Sequence, residues 1–332
     1  MSEDIKGQLK MREEIEMEVE MGEFVLRRID PWNDPWARRE WAEISLGFLD
    51  SFEGEPLAWH QYGARYHYGL QNYKEILSIG NQKERIDKLQ LSIGAYERLL
   101  HTQARTLRSK YTRPGRVSWA LYEKSTNRLI GFSGWIVPND MRQEFDLVQG
   151  KHGVVWTMFK WITDTINSWI DWLTYLWEPD HPLHNRRWDQ FDSIFVSKGD
   201  MFINGTHTVE ELAVGDKVKD HSYLIYPEAY RVFLNDFFVV PQYQRMGLGK
   251  IMLQLSLDQI PVRPVTFEHN GQYRQYPQVV SLYGSEEGVS LYRKCGFQLL
   301  IGWDPILSGI RVPVYYMQLI RPATSTTSST HN

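Results

Sequence analysis

The stretch FFVVPQYQRMGLGK, residues 237–250, constrains this chain more than any other. An apolar run stops at Pro241, which has no N–H to give a sheet ladder. Two glycines, Gly247 and Gly249, then stand directly before a helical pattern that runs to about Gln259, where Pro261 closes it. A strand, a tight turn and a helix in that order leave the first N–H groups of the helix unpaired. They also aim the positive end of the helix dipole at the turn. An anion gains ~0.3–1 kcal/mol there, and ~2 kcal/mol in sheltered geometry. Each backbone N–H given to a charged oxygen contributes roughly 1.5–3 kcal/mol more. Without a Cβ at Gly247 or Gly249, a diphosphate can come close to those amides.

Three kinds of phosphate loop could be meant. A Walker A loop needs Ser or Thr after its Lys, and here Lys250 is followed by Ile251, with no glycine five before Gly249. A dinucleotide fingerprint needs a third glycine where Met252 stands. The pattern Gln/Arg-x-x-Gly-x-Gly/Ala is met by Gln244, Gly247 and Gly249.

Composition narrows the remaining choices. Of 332 residues 42% are hydrophobic and 14% aromatic, enough for a sizeable globular core. A net charge of -4 argues against nucleic acid as a partner, since that footprint is a clustered basic excess. The single cysteine, Cys295, rules out a disulfide framework and a cysteine-based zinc site. His181 and His184 lack a carboxylate at suitable spacing, so no metal is expected. The start, MSEDIKGQLK, has no apolar signal region, which predicts a cytoplasmic or nuclear protein. On that expectation the sequon at Asn204 is a chance match.

Along the chain, residues 1–22 read as a mobile acidic arm whose alternating glutamates repel each other, with an exposed edge strand as the competing reading. A domain over 23–320 and a disordered tail over 321–332 follow. The periodicity predicts a strand at 24–29, a helix within Asp34–Phe52 and a helix from Lys83 to Arg108, with Asn81 and Glu84 at capping-box spacing. A hairpin comes next, RVSWALYE and RLIGFSGWIV around KSTN. After Pro138 the pattern changes until about Tyr230. Strands return with YRVFLNDFFVV and PQVVSLY, then a short helix in SEEGVSLYRKCGF and strands near 297–303 and 312–320. The order implies an α/β (α+β) class.

The loop has neighbours that matter. Val239-x-Pro241, the aromatic Tyr243, the glycine loop and, some forty residues on, LYRKCGF (Leu291–Phe297) together resemble the GCN5-related N-acetyltransferases, or GNATs. The resemblance covers roughly residues 24–137 and 231–320. It implies the GNAT fold, a central mixed twisted sheet flanked by helices, here with a helical aromatic-rich insertion of about 138–230 between the third and fourth strands of that fold.

The resemblance also implies acetyl-CoA as co-substrate. Its pyrophosphate would lie on the amides of Arg245, Met246, Gly247, Leu248, Gly249 and Lys250, beside Gln244. Its pantetheine arm would run along Phe237, Phe238 and Val239. Ser285 stands where many members carry a CoA-binding Asn, and Tyr292 where many carry a general acid. Asn235 occupies the usual place of the general base and cannot act as one. Asp236 should point to the opposite face unless the strand bulges; a water chain, Glu228 or a histidine are the other candidates, or else the acceptor amine has a low pKa. The implied reaction is direct attack of a small-molecule or peptide amine on the thioester. Transfer of another acyl chain, a hydroxyl acceptor, and a non-catalytic CoA-binding module are the competing readings. Tyr62, Tyr66 and His67 fall where the family walls its acceptor site.

Residues 154–177, VVWTMFKWITDTINSWIDWLTYLW, lie outside the resemblance. Thr157, Lys160, Asp164, Asn167, Asp171 and Thr174 form one polar stripe on an otherwise apolar helix. At about 36 Å it is long enough to span a bilayer. Three buried charges at ~2.5–3.5 kcal/mol each argue against stable membrane insertion. A core helix over the sheet is expected, with a lid over the acceptor channel or a membrane or partner contact as alternatives.

Overall fold

The computed structural model describes residues 18–34, 36–52, 95–142, 145, 158, 161–166, 168–170, 173, 230–269, 272–304, 306–307 and 310–322. In chain order the first half gives β1 (Glu18–Met21), β2 (Phe24–Arg28), α1 (Glu40–Ser51), α2 (Ala95–Tyr111), β3 (Arg116–Glu123) and β4 (Arg128–Ile136). The second half gives β5 (Val232–Val239), α3 (Leu248–Asp258), β6 (Val265–His269), β7 (Gln272–Tyr276), β8 (Gln278–Gly284) and α4 (Glu286–Lys294). It closes with β9 (Gln298–Trp303), β10 (Ile306–Leu307), β11 (Ile310–Arg311) and β12 (Val314–Arg321).

Eight of the strands form one mixed sheet in the order β1-β2-β3-β4-β5-β8-β12-β9. Every neighbouring pair is antiparallel except β5 and β8, which run parallel. The strand period of two divides the core between the faces. Trp119, Leu121 and Trp135 pack with Leu248, Met252 and Leu253 of α3 and Tyr292 of α4. Ala120, Tyr122 and Phe132 pack with Trp41 and Ile44 of α1 and Leu107 and Tyr111 of α2 on the other face. β3 and β4 are therefore buried on both faces, as their near-continuous apolar runs require. The mixed sheet flanked by helices is the architecture the resemblance implies.

Local chemistry sets the ends of α1. The Asp34 carboxylate accepts from the backbone N–H groups of Arg38, Arg39 and Trp41 and so covers donors at the helix start. Gly47 lets the helix lie close to the sheet, since a Cβ there would come within 2.9 Å of the Phe238 ring.

Several expectations need correction. Residues 18–21, expected within the acidic arm, pair antiparallel with β2 as an edge strand, and Glu20 is held to Lys124 at 2.7 Å. α2 ends at Tyr111 rather than Arg108; its start before Ala95, with Asn81 and Glu84, lies outside the described residues. The hairpin β6–β7 and the short pair β10–β11 were not expected. Between the neighbouring strands β4 and β5, the described residues include a 3-10 turn, Asn139–Met141, and helical residues between 158 and 173.

That helical segment is not the core helix the sequence predicts. Met158, Trp161, Ile162, Ile166, Trp169, Ile170 and Leu173 are all exposed, Trp161 to 71%. Thr163 is fully buried instead, and Asp164 reaches the buried Arg108. Asp164 thus gives the segment a polar contact with α2. Among the described residues no helix is long and apolar enough to cross a membrane. Tyr62, Tyr66, His67, His181, His184, Asn204, Glu228, and residues 1–17 and 323–332 lie outside the described residues.

Candidate active site

β5 and β8 pair only over Val232–Leu234 and Val280–Leu282, then part. On its other side β5 stays paired with β4 as far as Val239. Val240 N–H donates to Ile130 C=O at 2.8 Å, which fixes the alternation of the ladder. The backbone groups of residues 240, 238 and 236 turn to β4, while those of Val239 and Phe237 turn to the gap. Phe238 is thus spent on the sheet and the core, stacking on Phe132 at 5.9 Å and meeting Phe48 edge-on at 5.9 Å. Of the three residues expected along a pantetheine arm, only Phe237 and Val239 present backbone to the gap. The Val239 carbonyl is already engaged, by Gln244 Nε2 at 2.9 Å and Ser51 Oγ at 3.2 Å. Gln244 therefore fastens the glycine loop to the strand before it.

The loop opens at the same end as the gap. After the 3-10 turn Pro241–Tyr243, Arg245 (φ 61°) and Gly247 (φ 82°) are both left-handed, and Gly247 caps α3. The first helical bond is Ile251 N–H to Gly247 C=O at 3.3 Å. Among the described residues, the backbone N–H groups of 245–250 donate to nothing, and Gln244, Arg245, Met246, Gly247 and Lys250 are exposed. Leu248 turns inward as core. A Cβ at Gly247 would meet nothing within 4 Å, whereas one at Gly249 would rest on Leu291 and Val239 at 3.4 and 3.5 Å. Gly247 is needed for its dihedral angle and for an unobstructed loop surface; Gly249 lines the floor between β5 and α4. Open amides, a helix dipole and two nearby cations suit a diphosphate.

α4 faces the gap from the sheet side of its helix. Ser285 is its N-cap, its Oγ accepting from Gly288 N–H at 3.4 Å. That oxygen accepts from the helix it starts, and its O–H remains a donor. Tyr292, 7% exposed, lies edge-on to Phe237 at 6.2 Å and to Phe297 at 5.9 Å. The absence of side chains at Gly284 and Gly288 makes room for its ring, since Cβ atoms there would stand 3.1 and 2.8 Å from it. Cys295 follows at the helix end, and burial pushes its thiol pKa up, against the pull of Lys250.

The bulge that would redirect Asp236 exists. Gly134 pairs with Asp236 but Trp135 with Leu234, so Asn235 is the extra residue on β5. Phe238 and Asp236 consequently share the α1–α2 face, while Leu234 and Val232 return to the other. The Asp236 carboxylate, with its side chain 10% exposed, accepts from Tyr111 Oη, from Lys110 Nζ at 2.7 Å and from Asn235 Nδ2 at 2.9 Å. Tyr111 is fully enclosed, stacked on Trp41 at 5.9 Å and edge-on to Phe132 at 5.5 Å. Burial first, and then the Asp236 charge, hold its phenol pKa well above the usual 10, so it stays a donor. Lys110 and Tyr111 were not singled out from the sequence; they close α2, and nothing in their spacing ties them to a strand 125 residues away.

Among the described residues no group of three or more His, Cys, Asp or Glu side chains gathers as a metal site requires. No family model matches the sequence, and no curated protein is similar to it by sequence. Among solved structures, a histone acetyltransferase and related acetyltransferase from Corynebacterium glutamicum is similar at 10% identity. That similarity covers 91% of this chain and 97% of that one, at a TM-score of 0.42. An acetyltransferase from Salmonella typhimurium, solved with its cofactor acetyl-CoA, shares 10% identity over 92% of this chain and 99% of its own, at 0.33. An acetyltransferase of the GNAT family from Streptococcus pneumoniae shares 11% over 90% and 100%, also at 0.33.

Proposed function

We propose that this chain is a GNAT-fold N-acetyltransferase of the cytosol or nucleus, with one catalytic domain over residues 23–320. The observation that carries this reading is the parting of β5 from β8 beyond Leu234, with an open-amide glycine loop at the mouth of the gap. A linear ligand with an anionic end and amide groups along its length fits both parts. Acetyl-CoA is such a ligand, and it supplies the activated thioester.

The chain's own residues then divide the work. The N–H groups of 245–250 hold the diphosphate. The backbone of Phe237 and the Val239 N–H bond the pantetheine amides, as an added strand would. An acceptor amine with a pKa near ~10.4 is neutral in only about one molecule in a few thousand at pH 7, so a base is required. Asp236, turned by the bulge to the α1–α2 face, is that base. Tyr292, on the other side of Phe237, hydrogen-bonds the departing sulfur, whose ionisation at pH 7 costs about 2 kcal/mol for a thiol of pKa ~8.5. Cys295 is poorly suited to form an acyl-enzyme, because burial disfavours its thiolate.

Calorimetric titration with acetyl-CoA, paired with thiol release over a panel of amines, tests the reading. Binding and amine-dependent release are expected. Binding without release would leave a CoA-binding module, release only with longer acyl chains would indicate another acyltransferase, and no binding would remove the reading.

A further inference from the structure

Gly134 stands opposite Asp236 in the register of β4 and β5. A Cβ there would lie 1.7 Å from Tyr111 Oη and 2.2 Å from its ring carbon. Few positions in the sheet are so completely closed to a side chain, and what closes this one is a hydroxyl on its way to a carboxylate. Tyr111 cannot reach Asp236 unless β4 is bare at 134, and the bulge at Asn235 lets Asp236 face Tyr111 while Leu234 faces the other side of the sheet. Three separate features, a bare strand position, a bulge and a buried phenol, converge on one oxygen, Asp236 Oδ2.

Resting on the acetyl-transfer reading, we propose that Tyr111 is the positioning residue of the proton-accepting carboxylate. Its hydroxyl, admitted by Gly134, holds Asp236 in the orientation that meets an incoming amine. The ring needs no hydroxyl for its packing between Trp41 and Phe132, where an apolar phenyl would serve. The phenol is spent on Asp236. Lys110 is the second arm of the clamp, from the same helix end, but it is partly exposed and can swing away, whereas Tyr111 cannot. The charged and titratable groups facing the pair are Lys110 from α2 and Arg116 from β3; β4 offers only Gly134, and α1 the Trp41 ring.

Tyr111→Phe keeps the ring and removes the donor. Loss of that donor frees the carboxylate to turn away from the amine, which shows in turnover rather than in binding. kcat at pH 7 should fall about tenfold, with acceptor KM within about twofold and acetyl-CoA affinity unchanged. Gly134→Ala leaves both polar groups chemically intact but displaces the hydroxyl, and should lower kcat in the same way. Thermal melts and acetyl-CoA titration check that each variant is folded. A folded Tyr111→Phe protein with the parental kcat overturns the proposal. If acetyl-CoA does not bind the parental protein, the functional reading fails first; if it binds and turns over while Asp236→Asn keeps the parental kcat, the carboxylate is not the base and the proposal fails alone.

Discussion

The Arg108 guanidinium, 1% exposed, reaches Asp164 Oδ1 at 3.4 Å and donates to the Pro31 carbonyl at 2.8 Å. One buried cation thus ties together α2, the turn before α1 and the helical segment whose apolar side faces outward. Asp164 is one-third exposed, so the pair is weaker than a fully enclosed one. Asp164→Ala should cost about 1–2 kcal/mol and lower Tm by a few degrees, read by calorimetry. An unchanged Tm would show that the contact does not anchor the segment.

Glu40 makes a pH-dependent contribution of unusual sign for a carboxylate. Burial raises its pKa above the ordinary 4.5; the Tyr122 hydroxyl, donating at 2.9 Å, pulls the other way, and Asp34 and Glu43 add to the rise. A raised folded-state value favours folding fully below pH 4.5, and that contribution is lost as pH rises through the raised value. Glu40→Gln keeps an acceptor for Tyr122 and removes the charge. It should raise Tm by about 2–4 °C at pH 7 and by nothing near pH 3.5. Equal effects at both pH values would contradict this account.

The two loop glycines should separate in a mutational test. Gly247→Ala forces a Cβ into a left-handed residue and should cost about 1–2 kcal/mol, with acetyl-CoA affinity down at least fivefold. Gly249→Ala meets only ordinary contacts within the first turn of α3, and stability should hold or rise slightly. Melts and calorimetric titration of both variants decide it. Equal stability losses at the two positions would remove the conformational explanation.

Tyr292→Phe keeps the contacts with Phe237 and Phe297 and removes the hydroxyl. kcat should drop roughly ten- to thirtyfold with acetyl-CoA binding unaltered, the range set by the ~2 kcal/mol of thiolate stabilisation available. Steady-state kinetics that show the parental kcat would leave Tyr292 a packing residue.

Local punctuation explains which features were readable in advance. Pro241 and Gly247 mark the end of β5 and the start of α3 because a missing N–H and a positive φ restrict the residue type. The bulge at Asn235 carries no such mark, because many residues tolerate it; only the register with β4 displays it. Tyr111 and Gly134 meet through tertiary packing, which no spacing along the chain encodes. The β6–β7 hairpin was missed although Asn270-Gly271 between VTFEH and QYRQY is a strong turn signal. The Trp-rich segment misled for a plainer reason. Amphipathic period says that a helix has two faces, and the buried contact made by Arg108 decides which one turns inward.

β12 lies between β8 and β9, paired with both, although both precede it in the chain. During synthesis β8 and β9 therefore emerge as neighbours-to-be with an empty lane between them. Each exposes a row of unmet donors and acceptors until Arg321 has left the ribosome. This half of the molecule has to finish folding after translation of its central strand. A message that stopped before Val314 would leave β8 and β9 with open edges rather than yield a slightly smaller protein.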